Sequence, residues 1–473
     1  MNYSDFLKMV PEASLVSILI ILFVADFISA KAQERKWFNP LVCVLMFAQT
    51  LVCLLPQVAT SAFGGMYVTS NSVEAMKAIL SFGTLIVLIQ SKTWAIKSGK
   101  EGEFYMLIVS TLIGMYVMMS AGHFLMFFLG LEMASVPLAT TVAFDKYRND
   151  SAEAAAKFIL TATFSSGVML YGISLLYAAT GTLYYDDVVS KITPSALSIM
   201  GLVFFFSGLG FKISLVPFHF WTADTYQGAP TSVTGYLSVV SKGAAAFTLC
   251  TILMKVFASL VTYWTCLLFI VIVLSITIAN LFAIRQSELK RFMAFSSISQ
   301  AGYIVLAIVG NTSMSVTALS FYVLVYVVAN MAVFTIINVV EQANDGKTMI
   351  EDYNGFYTTN PKLAFLMTLA LFSLGGIPPF AGMFSKFFVF MAAVKGADVQ
   401  TTMGGWAYGV VFIALLNTVI SLYYYLKIVK AMYISHSDTP LPTFKSDVNT
   451  KFALALCTLG VILMGVCSFV YDW

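Results

Sequence analysis

Apolar runs separated by short polar joints extend along the chain. Each run is about 20 residues long, the length that an α-helix needs to cross the hydrocarbon layer of a membrane. Fourteen such runs lie at residues 12–30, 40–58, 73–91, 103–120, 122–143, 152–179, 196–220, 230–256, 260–284, 291–309, 313–340, 362–394, 405–433 and 450–471. The pattern predicts an all-α integral membrane protein with about fourteen transmembrane helices.

Two of these runs contain a helix break beside a lysine. Predicted helix seven carries Lys212 followed by Pro217, and predicted helix twelve carries Pro378 and Pro379 ahead of Lys386. Proline lacks the backbone donor that continues a helix. A lysine at the centre of a bilayer costs about 2.5–3.5 kcal/mol, so such residues usually mark an ion pathway. We interpret the two breaks and their lysines as two ion-binding sites along such a pathway.

The two breaks occupy equivalent places in two five-helix stretches. Predicted helices four to eight form the first repeat (103–256), and helices nine to thirteen form the second (257–434). Because five is odd, the two repeats would have opposite membrane orientations, as in many transporters. A three-helix segment (1–102) precedes the repeats, and a loop and helix (435–473) follow them.

Composition and charge agree with a membrane location. The chain is 59% hydrophobic and 10% charged, with a net charge of +3, so we expect the lipid bilayer as its surroundings and no nucleic-acid partner. Lysines and arginines number seventeen on one set of predicted loops and four on the other. The positive-inside rule then predicts both termini on the outer side. The first run contains Asp26 and no small-residue cleavage site, which favours a retained helix.

The cysteines indicate packing and not cofactor chemistry. All six lie inside apolar runs, and neither a CxxC pair nor a GxGxxG or P-loop motif in a plausible context is present. Metal, haem, iron–sulfur and nucleotide sites are therefore not expected in this chain.

Five ionisable residues inside the predicted spans are the strongest candidates for chemistry: Glu132, Lys157, Lys212, Lys242 and Lys386. Burial favours the neutral form of a lysine, whereas a carboxylate nearby favours the charged form. A change in the distance between Glu132 and Lys212 could therefore switch the lysine between holding and releasing a proton. The alternative is a set of structural ion pairs, and Lys157 could also extend to the inner surface.

Other polar residues are less specific. His219 suits a proton relay or a structural hydrogen bond about equally. Lys77 is expected to form a surface-near pair with Glu74, one turn earlier. Predicted helices ten and eleven contain uncharged polar residues that could hold water chains or join helices: Ser296, Ser297, Ser299, Gln300, Tyr303, Tyr322, Tyr326 and Asn330.

Three long motifs carry a family resemblance. They are PFHFWTADTYQGAPTSVT at residues 217–234, ELKRFMAFSSISQAGY at 288–303 and LFSLGGIPPFAGMFSK at 371–386. They resemble the antiporter-like proton-conducting subunits of respiratory complex I, most clearly over residues 100–435. The M type of this superfamily has a glutamate where this chain has Lys386, and the L type has a long lateral arm, so the N-type branch fits best. Ala223 stands where proline is frequent in the family.

The resemblance implies roles for the candidate residues. Glu132 and Lys212 would form the input pair, Lys242 the central relay and Lys386 the exit-side site, with Lys157 as a further lysine of the axis. Protons would enter from the inner side through the first repeat and leave outward through the second.

The resemblance also implies a proton-translocating subunit of an NADH:quinone oxidoreductase in a bacterial inner membrane. NADH, FMN, iron–sulfur clusters and quinone would be bound by partner subunits, and the neighbours would include the M, K and J types. Two alternatives are a subunit of a multisubunit sodium/proton antiporter or membrane-bound hydrogenase, and a structural spacer that conducts nothing.

Overall fold

The computed structural model describes residues 3–29, 35–55, 59–146, 148–346, 348–395, 397 and 400–467. Within these residues one antiparallel hairpin pairs β1 (Ser61–Ala62) with β2 (Tyr67–Val68). The α-helices are α1 (Val10–Ser29), α2 (Phe38–Leu54), α3 (Asn71–Gln90), α4 (Lys92–Ser98), α5 (Glu101–Met119), α6 (Phe124–Val142), α7 (Asn149–Thr180), α8 (Tyr185–Lys191), α9 (Ala196–Ile213), α10 (Phe220–Gly228), α11 (Thr231–Tyr236), α12 (Lys242–Lys255), α13 (Val261–Arg285), α14 (Leu289–Leu306), α15 (Ser313–Ala343), α16 (Phe356–Thr359), α17 (Pro361–Gly375), α18 (Ala381–Val394), α19 (Thr402–Tyr433) and α20 (Val448–Val466).

The fourteen predicted membrane runs all coincide with helices. Twelve helical stretches of the described residues are long and apolar enough to cross a bilayer. The second predicted run corresponds to the shorter α2, and the twelfth to α17 followed by α18. The ends of three runs, at residues 30, 56–58 and 468–471, lie outside the described residues. The prediction of an all-α membrane protein is confirmed.

Both predicted helix breaks are present. Helix α9 ends at Ile213, the next residue has a left-handed backbone (Ser214, φ +67°), and α10 begins only at Phe220. Helix α17 ends at Gly375, Gly376 has φ +83°, and α18 begins at Ala381. Glycine suits the second position because a side chain would be strained there. The Val216–Pro217 and Pro378–Pro379 peptide bonds are cis.

By its contacts the chain divides into two units. The first comprises Met1–Ile213 and Val240–Trp264, and the second comprises Ser214–Val239 and Thr265–Trp473. The segment Ser214–Val239, which follows the first break, is thus counted with the second unit although the chain on both sides of it belongs to the first. The predicted repeat boundaries at 102, 256 and 434 concern internal symmetry and stay a prediction.

Helices of the first unit pack closely where glycines face them. A Cβ atom on Gly114 of α5 would lie 2.3 Å from the backbone nitrogen of Ala134 in α6. A Cβ atom on Gly130 of α6 would lie 2.4 Å from the nitrogen of Met118 in α5. Only glycine fits at such distances, so α5 and α6 meet backbone to backbone, as is common between membrane helices.

Lys77 lies in a buried ion cluster of the first unit. Its Nζ atom is 2.7 Å from Glu12 Oε1 and 2.8 Å from Glu74 Oε1. The hydroxyl of Tyr67 donates to Glu12 Oε2 at 3.1 Å, and Lys77 itself is 0% exposed. The expected pairing with Glu74 is confirmed, but the expected surface location is wrong. The β1–β2 hairpin and α1 cover the lysine, and neither was foreseen as its neighbour.

Helix α15 is central to the second unit. It packs against α11, α14, α17, α18 and α20. Buried amides join two other helices of this unit: Asn280 Nδ2 of α13 donates to Asn417 Oδ1 of α19 at 3.0 Å, and the hydroxyl of Tyr424 donates to Asn280 Oδ1 at 2.9 Å. Such satisfied polar contacts hold membrane helices together.

Candidate functional site

Lys212 lies in the last turn of α9, immediately before the first helix break. It is 5% exposed, and its Nζ atom donates a hydrogen bond to Ser135 Oγ of α6 at 2.7 Å. The same atom stands 5.8 Å from the centre of the Phe158 ring of α7. The lysine therefore has a neutral hydrogen-bond acceptor and an aromatic neighbour in a buried part of the first unit.

Glu132 lies one turn before Ser135 on α6, so both side chains face the same side of that helix. It is half-buried, and its Oε1 atom accepts a hydrogen bond from Ser166 Oγ of α7 at 2.6 Å. Glu132 still acts on Lys212 electrostatically, but among the described contacts the two groups form no ion pair within 4.0 Å. The predicted pair thus shares one unit, with a serine as partner of each member.

Lys242 opens α12 and is 1% exposed. It directly follows a π-helical turn, Leu237–Ser241, and such turns inside helices are frequent at functional sites. Helix α12 packs against α3, α5 and α9 of the first unit. The lysine is therefore buried, as its place inside a predicted span suggests, and the irregular turn before it is a feature that the sequence does not predict.

Lys157 has different surroundings from the other candidate lysines. Its Nζ atom is 2.8 Å from Glu153 Oε1 one turn earlier on α7, and its side chain is 44% exposed. The structure therefore does not place it among the buried lysines of the first unit. Its expected role as a further lysine of the axis stays a prediction.

At the first helix break a side chain accepts a hydrogen bond from the backbone. The backbone N–H of Val216 donates to Ser275 Oγ of α13 at 2.9 Å. His219, which precedes α10, is 8% exposed, and its Nδ1 atom has no hydrogen-bond partner in the described part of the chain. A buried imidazole nitrogen of this kind can accept or donate a proton, so both roles considered for His219 stay open.

Lys386 lies in α18, after the second helix break, and is 4% exposed. Its Nζ atom donates to the carbonyl oxygens of Leu374 at 3.0 Å and Gly375 at 3.3 Å. These carbonyls end α17 and have lost their helical partners because the helix stops there. The lysine satisfies these two carbonyls. Its Nζ atom also lies 5.1 Å from the Tyr303 ring centre.

Gln300 of α14 is the hub of the polar groups around Lys386. Its Nε2 atom donates to the Leu374 carbonyl at 3.2 Å and to the Tyr425 hydroxyl at 3.1 Å. Its Oε1 atom accepts from the Tyr322 hydroxyl. Gln300 and Lys386 therefore share one carbonyl oxygen, which connects the lysine to two tyrosine hydroxyls.

A buried ion pair of this unit lies where α14 begins and α15 ends. Lys290 is 1% exposed; its Nζ atom donates to the Ala229 carbonyl at 3.0 Å and lies 3.5 Å from Glu341 Oε1. Thr231 of α11 donates its hydroxyl hydrogen to the same glutamate. From the sequence Lys290 counts only among the loop lysines and arginines, and its pairing with Glu341 joins positions more than 50 residues apart.

The sequence signalled some of these partners and not others. Ser135 could have been found, because it follows Glu132 by three positions of one helix face. Ser166 and Ser275 carry no such signal.

His123 caps α6: its Nδ1 atom accepts a hydrogen bond from the N–H of Leu125, 3.0 Å away. Burial lowers the pKa of this histidine, which favours the neutral ring that can accept this bond.

Comparison with known proteins gives one matching family model. The model described as the membrane domain of NADH:quinone oxidoreductase and Mrp antiporters matches residues 121–413. These residues include every candidate site residue, from Glu132 to Lys386.

Individual relatives extend this likeness over the whole chain. NADH-quinone oxidoreductase subunit N of Phocaeicola vulgatus is 54% identical over 100% of this chain and 98% of its own length. A chain of respiratory complex I from Thermus thermophilus is 28% identical, with a TM-score of 0.81 and 98% of both chains covered. A chain of the Mrp complex from Dietzia sp. has a TM-score of 0.83 at 18% identity and 98% coverage of this chain, which shows a shared fold only.

Proposed function

Because the chain belongs to the family of membrane subunits shared by NADH:quinone oxidoreductases and Mrp antiporters, we propose that it is the N-type proton-translocating subunit of a respiratory NADH:quinone oxidoreductase. The likeness to curated N-type subunits over the full length carries this conclusion. The chain is accordingly a subunit of an oxidoreductase and works together with other subunits of complex I.

Within the first unit, Lys212 and Glu132 form the proton-input site. A buried lysine held by a serine hydroxyl can lose its proton more readily than a lysine in an ion pair. A shift of Glu132 from Ser166 toward Lys212 would stabilise the ammonium, since a carboxylate about 4 Å away contributes about 4 kcal/mol at an effective dielectric constant of 20. Lys242 then acts as the next proton carrier.

Within the second unit, Lys386 acts as the exit-side carrier. Carbonyl oxygens at the end of α17 are good acceptors for its ammonium hydrogens. Loss of a proton would weaken both hydrogen bonds, because a charged donor forms stronger hydrogen bonds than a neutral amine, so the helix break and the protonation state are linked. His219 is a candidate relay, supported by its buried nitrogen.

Redox chemistry would take place in partner subunits. We expect them to hold NADH, FMN, the iron–sulfur clusters and quinone, because the cysteines of this chain lie in apolar runs. The M type, K type and J type are the expected neighbours. The complex would lie in a bacterial inner membrane, with both termini of this chain on the outer side, as the lysine and arginine count favours.

The deciding experiment uses the intact complex in sealed vesicles. We expect NADH-dependent quinone reduction to drive proton uptake in the parent complex and the Lys212→Ala complex to lose it. Lys191→Ala, at an exposed lysine, is the matched control and should retain it. A complex without NADH oxidation that exchanges sodium for protons would contradict the proposal. Unchanged assembly and pumping in Lys212→Ala would favour the structural spacer.

A further inference from the structure

A buried polar stripe runs along α15 in the second unit. Tyr322, Tyr326, Asn330 and Asn338 are 2%, 3%, 0% and 5% exposed, and Glu341 stands in the last turn. At 3.6 residues per turn, a step of four positions advances about 40° around the helix axis, so the stripe winds around α15 from Tyr322 to Asn338, with Phe334 between Asn330 and Asn338. From Tyr322 to Glu341 the stripe spans about 28 Å at 1.5 Å per residue. This length is close to the hydrocarbon thickness of a bilayer, about 30 Å.

One end of the stripe carries charge and reaches the surface. The side chain of Glu341 is 12% exposed, whereas that of its partner Lys290 is 1% exposed. The Thr231 hydroxyl donates to Glu341 as well. In the orientation proposed above, the loop after Glu341 lies on the inner side. Glu341 is therefore an acid at the inner surface, in contact with both water and buried polar groups.

Hydroxyl and amide groups of other helices face the middle of the stripe. The Tyr226 hydroxyl of α10 is 3.4 Å from Ser297 Oγ of α14, and Ser297 also lies close to Tyr326. Asn330 Nδ2 donates to Ser238 Oγ at 2.7 Å. Hydroxyl groups both donate and accept hydrogen bonds, so the hydroxyls of this group can exchange a proton with a neighbouring water, whereas the amide of Asn330 can only hydrogen-bond to one.

The other end of the stripe meets Lys386. Tyr322, Tyr326, Gln300 and Lys386 line one small cavity, and Tyr322 is bonded to Gln300. Polar residues from the surface acid to this cavity thus belong to one unit. A purely structural role, in which polar groups hold helices together, would explain single contacts such as that of Asn330 with Ser238. That role does not explain why the polar residues extend from an acid near the surface to a buried lysine.

We propose that the second unit has its own inner-side proton entrance, in which Glu341 collects protons and the α15 stripe delivers them to Lys386. A proton from inner water binds the Glu341 carboxylate. It then leaves that oxygen through intervening waters and hydroxyls and forms an N–H bond on the neutral Lys386 amine, which becomes an ammonium. Lys386 is thereby loaded without a step at Lys242. This inference rests on the proposed function and orientation.

Water access along the stripe is tested in the intact complex. Asn338→Cys and Ser297→Cys variants are exposed to a membrane-impermeant thiol reagent from either side, with the parent chain as background. We expect labelling from the inner side only. Ile336→Cys and Ile298→Cys lie at matching depths on other helix faces, are fully buried, and should not react. Equal labelling of a stripe position and its control, or none at all, would overturn the entrance.

Proton movement is tested with Glu341→Gln, which keeps the size of the side chain and removes its charge. We expect proton uptake per quinone reduced to fall, with quinone reduction retained under an uncoupler. Glu351→Gln, at an exposed acid of the same region, should behave like the parent. If Glu341→Gln pumps like the parent while Lys212→Ala does not, the entrance is wrong and the proposed function stands. If the parent complex does not pump, the proposed function itself fails.

Discussion

Ser135 determines how Lys212 is held. It is the hydrogen-bond acceptor of a buried ammonium group, with an Nζ to Oγ distance of 2.7 Å. Such a bond to a charged group is worth about 1.5–3 kcal/mol. The serine therefore influences how readily the lysine keeps its proton, although it has no charge of its own.

Ser135→Ala should slow proton translocation about tenfold, because the protonated form of Lys212 loses its hydrogen-bond acceptor. A loss of about 1.4 kcal/mol in the stability of that form lowers its population tenfold. The measurement is proton uptake in vesicles, together with uncoupled quinone reduction to show that the complex is assembled. Ser110→Ala is the matched control, because the Ser110 hydroxyl bonds the Met106 carbonyl of its own helix. Equal rates in both variants would contradict a role for Ser135.

The ion cluster of Lys77 illustrates a different use of buried charge. Glu12 and Glu74 lie in the first turns of α1 and α3, where helix dipoles favour negative groups. The two carboxylates share one ammonium, so the dipoles and the lysine together balance their charge. This arrangement holds α1 to α3 and favours a structural role over a titrating one.

Lys77→Met should therefore destabilise the protein by about 3–5 kcal/mol, because two carboxylates would be left buried without a cation. Thermal unfolding of the purified complex measures this loss. Lys8→Met, which breaks a surface pair with Asp5, should cost only about 0–1 kcal/mol. A combined Lys77→Met and Glu12→Gln variant should recover part of the loss. Equal stability of the two lysine variants would refute the structural role.

At the scale of helices, the spans and their breaks were predictable from the sequence. Membrane helices need about 20 apolar residues in a row, so their positions are local properties. Pro217 and Pro378–Pro379 likewise act on their own backbone. Lys212 and Ser135 are 77 positions apart. Side-chain partners of this kind depend on which helices meet, and a single sequence does not reveal that. The burial of Lys77 could not be predicted for the same reason.

The contact between α5 and α6 leads to a prediction at this scale. Gly114→Val should prevent the two helices from closing, because even a Cβ atom would lie 2.3 Å from the Ala134 nitrogen. Overpacking typically costs about 1–3 kcal/mol, and here the neighbour is rigid backbone. Gly167→Val is the control, since no atom lies within 4 Å of a Cβ there. The yield and thermal stability of the assembled complex should fall for Gly114→Val alone.

For the whole molecule, the distribution of lysines makes a prediction about orientation. Lys445 and Lys191 are both exposed and lie on loops predicted to face opposite sides. Cysteine at position 445 should react with an impermeant thiol reagent from the inner side, and cysteine at 191 from the outer side. Native-cysteine labelling of the parent chain provides the background. Reaction of both positions from one side would contradict the proposed orientation.

The path of the chain between its two units has a consequence for synthesis. The first unit lacks its residues Val240–Trp264 until the stretch Ser214–Val239, which belongs to the second, has already been made. No single cut of the gene can therefore yield two fragments that each contain one whole unit. Ribosomal synthesis must pass Trp264 before the first unit is complete, and Ser214–Val239 must wait in the membrane for the helices that follow.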